Sequence, residues 1–182
     1  MFRRLIDELR RRGPLERHSS EVNGLLLRSL TEWTGRPPLI AREGAYTRTC
    51  AYRGAQFEVL LLGWAPGAAS EIHDHGGQHC WMAVIEGRLA VDDYVRLDPG
   101  DVPGYAHVER RDSRTLGPGD FDMRSGRFDL HRVAAGGSKA VSLHLYARPL
   151  KQFLVYDEER RLCRPVSGTY DAVLQPYSQV TA

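Results

Sequence analysis

The sequence predicts an all-β barrel of the jelly-roll kind with two or so small N-terminal helices packed outside it. Three observations carry this. The opening residues place apolar side chains at helical spacing, short β runs punctuated by Gly, Pro and Asp follow from about residue 45, and the longest apolar runs, such as Val59-Leu-Leu-Leu62, are strand-sized. Phe2, Leu5, Ile6 and Leu9 recur every three or four residues, so residues 2–12 read as an amphipathic helix stopped by Gly13-Pro14. Ser20 is placed to cap a second helix, about residues 21–33, with Leu25, Leu26, Leu30 and Trp33 on its apolar side. Gly35-Arg-Pro37-Pro38 then breaks the helical pattern, and residues 1–38 are expected to cap the barrel.

Strands are expected at 46–52, 56–64, 71–74, 81–86, 88–96, 105–110, 115–116, 128–133 and 140–148, with 153–156 and 162–164 as a final hairpin. Arg53-Gly54-Ala55, Asp98-Pro-Gly100, Gly117-Pro-Gly119 and Gly136-Gly137 supply the turns. One domain over 1–182 is expected, with the barrel at 45–164 and a Ser, Thr, Pro and Tyr-rich tail at 165–182.

Composition narrows the partners. The net charge of +2 is too small to advertise nucleic acid or an anionic membrane, and no stretch is long and apolar enough for a membrane span. The Arg-rich start contains Asp7 and Glu8 and lacks the apolar core of a signal peptide, so a cytoplasmic protein is expected, as a monomer or weak homo-oligomer. Three cysteines, Cys50, Cys80 and Cys163, make an odd count without repeat spacing. Any role for them belongs to a single thiol.

The stretch Gly67 to Gly87 contains His73 and His75, two residues apart. On an extended strand that spacing turns both imidazoles to one face, within reach of one ion. His131 follows in Phe128-Asp-Leu-His131-Arg-Val. Metal-binding barrels of the cupin type open with G-x5-H-x-H, an acidic ligand and a later Gly, and this stretch resembles that motif with Cys80 at the carboxylate position. Three imidazoles without a carboxylate leave a bound metal its full charge and positions open to an anionic ligand, and imidazole suits Zn, Fe, Ni and Cu alike.

Two further strands carry polar faces. Ser142, His144 and Tyr146 alternate with Val141, Leu143 and Leu145, which turns the polar three into a wet barrel interior or, on an edge strand, toward solvent. Tyr46 and Arg48 share a face of the first strand. An Arg pointing inward must meet an anion such as a substrate carboxylate, while the plainer alternative is a surface arginine.

Together, Tyr46-Thr-Arg48, Ile72-His-Asp-His75 with His79-Cys80, Leu130-His-Arg-Val133 and Val141-Ser-Leu-His-Leu-Tyr146 resemble the cysteine dioxygenase family over about residues 45–150. The resemblance implies that His73, His75 and His131 bind Fe(II), and that L-cysteine and O2 meet there to give cysteine sulfinic acid. It implies that Arg48, helped by Tyr46, holds the substrate carboxylate. Tyr146, oriented by Ser142 and His144, would hydrogen-bond the reacting oxygen or thiolate, and Cys80 would form a thioether cross-link to Tyr146. Ala135 and Ala147-Arg148-Pro149 depart from the family pattern. Arg148 is expected either as a second carboxylate anchor, as in a 3-mercaptopropionate dioxygenase, or at the surface. His79 is expected to support or pack, and Trp64 and Trp81 to belong to the core. Another small thiol acid as substrate, a non-catalytic ligand-binding cupin, and a zinc or manganese cupin doing hydrolysis or isomerisation stand as alternatives.

Overall fold

The computed structural model describes residues 2–32 and 42–174, so Trp33 and the Gly35-Arg-Pro37-Pro38 break lie outside the described residues. Helix α1 (Arg3–Arg10) and helix α2 (Ser19–Thr31) are joined by a 3-10 turn at Leu15–His18. Leu5, Ile6 and Leu9 of α1 and Val22, Leu25 and Leu26 of α2 are buried. Ser20 does not cap α2. The 3-10 turn runs straight into the helix, so Ser20 already lies inside it, whereas a capping residue needs non-helical backbone angles.

Twelve strands follow: β1 (Tyr46–Arg53), β2 (Glu58–Trp64), β3 (Ile72–His73), β4 (Cys80–Glu86), β5 (Leu89–Arg96), β6 (Val108–Leu116), β7 (Phe121–Arg124), β8 (Leu130–Ala135), β9 (Ala140–Tyr146), β10 (Gln152–Asp157), β11 (Leu162–Ser167) and β12 (Ala172–Val173). They form two six-stranded sheets, ordered β12-β1-β2-β9-β4-β7 and β11-β10-β3-β8-β5-β6. Every pairing is antiparallel except β1 with β12. The result is the expected cupin-type jelly roll with small helices outside it.

Three boundaries differ from expectation, each for a physical reason. The runs at 105–110 and 115–116 are one strand, β6. It is an edge strand, so its mostly exposed charged stretch needs a partner on one side only, and charge there discourages edge-to-edge pairing. Strand β7 was not expected because its pattern is inverted, with Phe121 and Met123 exposed and Asp122 and Arg124 buried. The sheets also run past residue 164: β11 continues to Ser167, and β12 docks on β1, where Asp171 N–H donates to the Arg48 carbonyl at 2.8 Å. Residues 175–182 lie outside the described residues.

Alternation along the first sheet sorts side chains into two cores. Val59 and Leu61 of β2 and Leu143 and Leu145 of β9 face the helices, packing with Leu5, Leu9 and Leu26. Leu60, Leu62 and Trp64 of β2, with Tyr146 of β9, face the space between the sheets. Gly87 closes the β4–β5 turn at φ +77, where a Cβ would come within 2.3 Å of the Lys139 carbonyl oxygen, so only glycine fits. No described helix is long and apolar enough to cross a membrane.

Candidate active site

His73 sits in β3 directly opposite His131 of β8, and His75 lies just beyond the end of β3. The turn carrying His75 is pinned by the buried Asp74. Its Oδ1 accepts the N–H groups of Gly76 and Leu154, both at 3.0 Å, and its Oδ2 accepts the Tyr156 hydroxyl at 2.9 Å. Strand pairing and this clamp bring the three imidazoles into a triangle with ring centres 4.7 to 5.1 Å apart. One ligand atom from each lies within 4.8 Å of the others, and no carboxylate or thiol joins this group among the described residues.

The hydrogen bonds behind the rings decide which nitrogens face inward. His73 Nδ1 lies 2.9 Å from the Glu71 carbonyl oxygen, and His131 Nδ1 lies 3.1 Å from Asp122 Oδ2. Both partners only accept, so both Nδ1 atoms carry the proton and both Nε2 atoms carry a lone pair. Those two Nε2 atoms are 3.2 Å apart. Two lone pairs facing each other at that distance repel unless a cation lies between them. A proton is a poor candidate, since burial and the neighbouring imidazoles hold His73 and His75 well below the usual histidine range. Burial lowers His131 too, against the pull of Asp122. A divalent metal fits: nitrogens about 2.1 Å from a common ion on adjacent positions stand about 3 Å apart.

Beside the triangle is a cavity of ≈ 80 Å³ lined by Tyr46, Arg48, Trp64, His73, His131, His144 and Tyr146, with Leu62, Val133, Leu150, Phe153, Val155 and Val166 as apolar walls. The alternation expected for β1 therefore holds, with Tyr46 and Arg48 on the cavity side. Arg48 Nε and Nη2 are buried and have no hydrogen-bond partner among the described residues. An unmatched guanidinium edge is costly, and these two nitrogens form the fork that fits a carboxylate. The backbone of Arg48 is fixed from the far edge of the sheet, where Asp171 Oδ2 accepts its N–H at 2.8 Å.

The polar face of β9 is buried rather than turned to solvent. Trp64 Nε1–H donates to Ser142 Oγ at 2.9 Å, and Ser142 Oγ bonds His144 Nε2 at 2.9 Å. Burial depresses His144 to about 3, so its ring is neutral near pH 7. Its ring stacks beside Tyr146 with centres 6.2 Å apart. Burial raises the Tyr146 phenol well above its ordinary range, keeping it protonated. Cys80 pairs with Tyr146 across β4 and β9, and both side chains are buried.

Other residues land elsewhere. Arg148 is exposed and lines an outer groove with Arg53, Gln78 and Lys151. It follows β9 on the outside of the barrel and does not line the cavity, which removes it as a second anchor in this structure. His79 stacks on Trp81, ring centres 5.5 Å apart, away from the triangle. Trp64 is more than core: it lines the cavity and stacks on Tyr46 at 4.8 Å. Phe153, 5.9 Å from the His73 ring, and Asp122 behind His131 are part of the site but were not singled out in the sequence.

Comparison with known proteins agrees with this geometry. The model of the family described as cysteine dioxygenase type I matches residues 26–159. The cysteine dioxygenase type 1 proteins of Rattus norvegicus and Mus musculus are each 30% identical over 130 residues, covering 69% of this chain and 62% of theirs. The Homo sapiens protein of that name is 28% identical over 128 residues, again covering 69% and 62%. The chain thus spans less than two thirds of the length of these relatives. A solved cupin superfamily protein from Desulfitobacterium hafniense is similar over 64% of this chain and 94% of its own, at 15% identity and a TM-score of 0.47.

Proposed function

Since this chain belongs to the cysteine dioxygenase type I family, we infer that it is an Fe(II)-dependent thiol dioxygenase converting L-cysteine and O2 to cysteine sulfinic acid. The observation that carries this reading is a carboxylate-free set of three imidazoles, two of which, His73 and His131, line the same cavity as an unpartnered guanidinium edge and a buried phenol. The reaction balances without an external reductant. Sulfur gives up four electrons, dioxygen takes them, and both oxygen atoms end on sulfur.

His73, His75 and His131 would hold the metal. Fe(II) bound there would supply the one-electron chemistry that lets dioxygen react with a thiolate, which zinc does not. The chain's own groups do the rest. Arg48 presents Nε and Nη2 to the substrate carboxylate, and the Tyr46 ring, stacked on Trp64, walls that end of the cavity. The apolar walls exclude bulk water, which strengthens every charged contact inside. Tyr146 keeps its proton and offers it as a hydrogen bond to the reacting sulfur and oxygen atoms. The run Trp64, Ser142, His144 holds the neighbouring ring in place. The cross-link between Cys80 and Tyr146 belongs to the same proposal, supported by their register and shared burial.

The placement of Arg148 favours cysteine over 3-mercaptopropionate, because Arg48 is then the sole guanidinium lining the cavity among the described residues. The test is O2 uptake by anaerobically iron-loaded protein with L-cysteine, 3-mercaptopropionate and cysteamine, with mass analysis of the products. L-cysteine should turn over fastest and gain two oxygen atoms. Arg48→Gln should lower kcat/KM for cysteine about 100-fold, the worth of about 3 kcal/mol of charge-assisted hydrogen bonding, and leave cysteamine, which lacks a carboxylate, little changed. Iron-replete protein that binds thiols without consuming O2 would instead identify a non-catalytic cupin.

A further inference from the structure

Strand β7 is built inside out, with its charged residues Asp122 and Arg124 buried and its apolar ones exposed. Burying a carboxylate and a guanidinium is costly unless partners make them whole. Here the partners are specific. Arg124 Nε donates to Asp122 Oδ2 at 2.7 Å and Nη2 to Oδ1 at 2.9 Å. Arg124 also pairs with Asp129 at 3.1 Å and with Asp93, and Arg114 bridges Asp93 and Asp122. Three carboxylates against two guanidiniums leave one net negative charge in this network. Asp122 directs it at one further donor, the Nδ1–H of His131, 3.1 Å from Oδ2. The other two imidazoles receive nothing comparable. His73 Nδ1 meets only the neutral Glu71 carbonyl, and His75 Nδ1 is buried without a hydrogen-bond partner among the described residues.

We propose that Asp122, held by Arg124 and Arg114, is a positioning residue for the metal ligand His131: it fixes the Nδ1–H tautomer, aims Nε2 at the metal, and supplies from behind the ring the negative charge that a three-histidine set lacks. This rests on the metal reading given above. Carboxylates behind ligating histidines raise ligand basicity, and their loss typically weakens metal binding 10- to 100-fold. An asparagine at this position cannot substitute. If its amide oxygen accepts from His131, its NH2 faces the guanidinium donors of Arg124 and Arg114. If it turns over to satisfy them, NH2 points at His131 Nδ1 and favours the tautomer that takes the lone pair away from the metal.

The experiment is chelator competition for Co(II) and Fe(II) with wild type, Asp122→Asn and Arg114→Gln, with visible Co(II) spectra and circular dichroism as fold control. Folded Asp122→Asn should bind either metal about 10- to 100-fold more weakly and shift the Co(II) ligand-field bands, while Arg114→Gln should lose only severalfold. Folded Asp122→Asn with wild-type affinity and bands would overturn the proposal. If that variant does not fold, Arg114→Gln decides: weaker binding supports the role, and unchanged affinity and spectrum reject it. Wild-type protein that binds neither ion would instead sink the metal reading itself, and this proposal with it.

Discussion

The two sheets meet at the cavity with different kinds of side chain. From the second sheet come His73 and His131, with His75 just past the end of β3. From the first come Tyr46 and Arg48 on β1 and His144 and Tyr146 on β9, with Ser142 and Cys80 behind them on β9 and β4. Behind the second sheet's groups the hydrogen bonding is dense: Asp74 accepts three bonds, and His131 leans on a five-residue ionic network. The first sheet instead leaves Arg48 Nε and Nη2 without partners. Backing behind His73 and His131, though not behind His75 Nδ1, fits groups that would hold an ion still, whereas the unpartnered guanidinium edge of Arg48 fits a place where a small anion completes the pairing.

The largest effect should come from breaking the metal side. His131→Ala removes one of the three proposed ligands and the bond that its Nδ1–H makes to Asp122. Metal content measured per chain should fall from near one to none, with O2 uptake undetectable. Retention of stoichiometric metal would mean that the triangle is not the binding site.

Acid should separate the two sides next. The folded protein holds His73, His75, His131 and His144 below the ordinary histidine value of 6.5, chiefly through burial. The unfolded chain therefore binds more protons at mildly acidic pH, and stability present above 6.5 is lost as pH falls. For His144, depressed to about 3, the loss between pH 6.5 and 5 is about 2 kcal/mol. Melting curves of metal-free protein should move down over that range. Adding metal should recover the contribution of the three ligands but not that of His144. A midpoint that stays constant from pH 7.5 to 5 would contradict the buried, neutral state of these rings.

A smaller, purely kinetic effect is expected on the substrate side. Tyr146→Phe keeps the ring packing against His144 and His75 and removes only the hydroxyl. Metal content and the KM for cysteine should stay near wild type while kcat drops about 10- to 100-fold, the usual worth of one well-placed proton donor. A drop in metal content instead would move the tyrosine to the metal side of the comparison.

The division between the sheets also explains what the sequence could and could not reveal. His73 with His75, Tyr46 with Arg48, and Ser142, His144 and Tyr146 were legible because a two-residue period on a strand decides facing without any knowledge of the partner strand. Their convergence with His131 was legible only through the family resemblance, since register is a property of pairs. Asp122 was hidden because β7 inverts the usual burial pattern, which made the strand itself look like a loop. Trp64 looked like core because nothing local announces that its indole N–H meets Ser142, 78 positions away. Arg148 follows the polar alternation of β9 by sequence count, yet the strand ends at Tyr146 and the alternation ends with it. Ser20 had the chemistry of a cap, but the 3-10 turn before it had already started the helix.

The smallest expected effect lies where β4 meets β9. Cys80 is opposite Tyr146 and buried, with its thiol pushed up by that burial so that it stays protonated and unreactive as a nucleophile. Joining its sulfur to the neighbouring ring would remove the thiol hydrogen and one ring hydrogen, a two-electron oxidation for which dioxygen is the oxidant during turnover. Wild-type protein cycled with iron, cysteine and O2 should therefore acquire a fraction lighter by two hydrogens in intact-mass spectra. Cys80→Ser should show no such fraction, bind iron normally, and change kcat by no more than about threefold, because the Tyr146 hydroxyl, the proposed hydrogen-bond donor, remains. A mass deficit that survives in Cys80→Ser would assign the cross-link to another thiol. Cys50, the other buried cysteine of the inner core, would then be the next to replace.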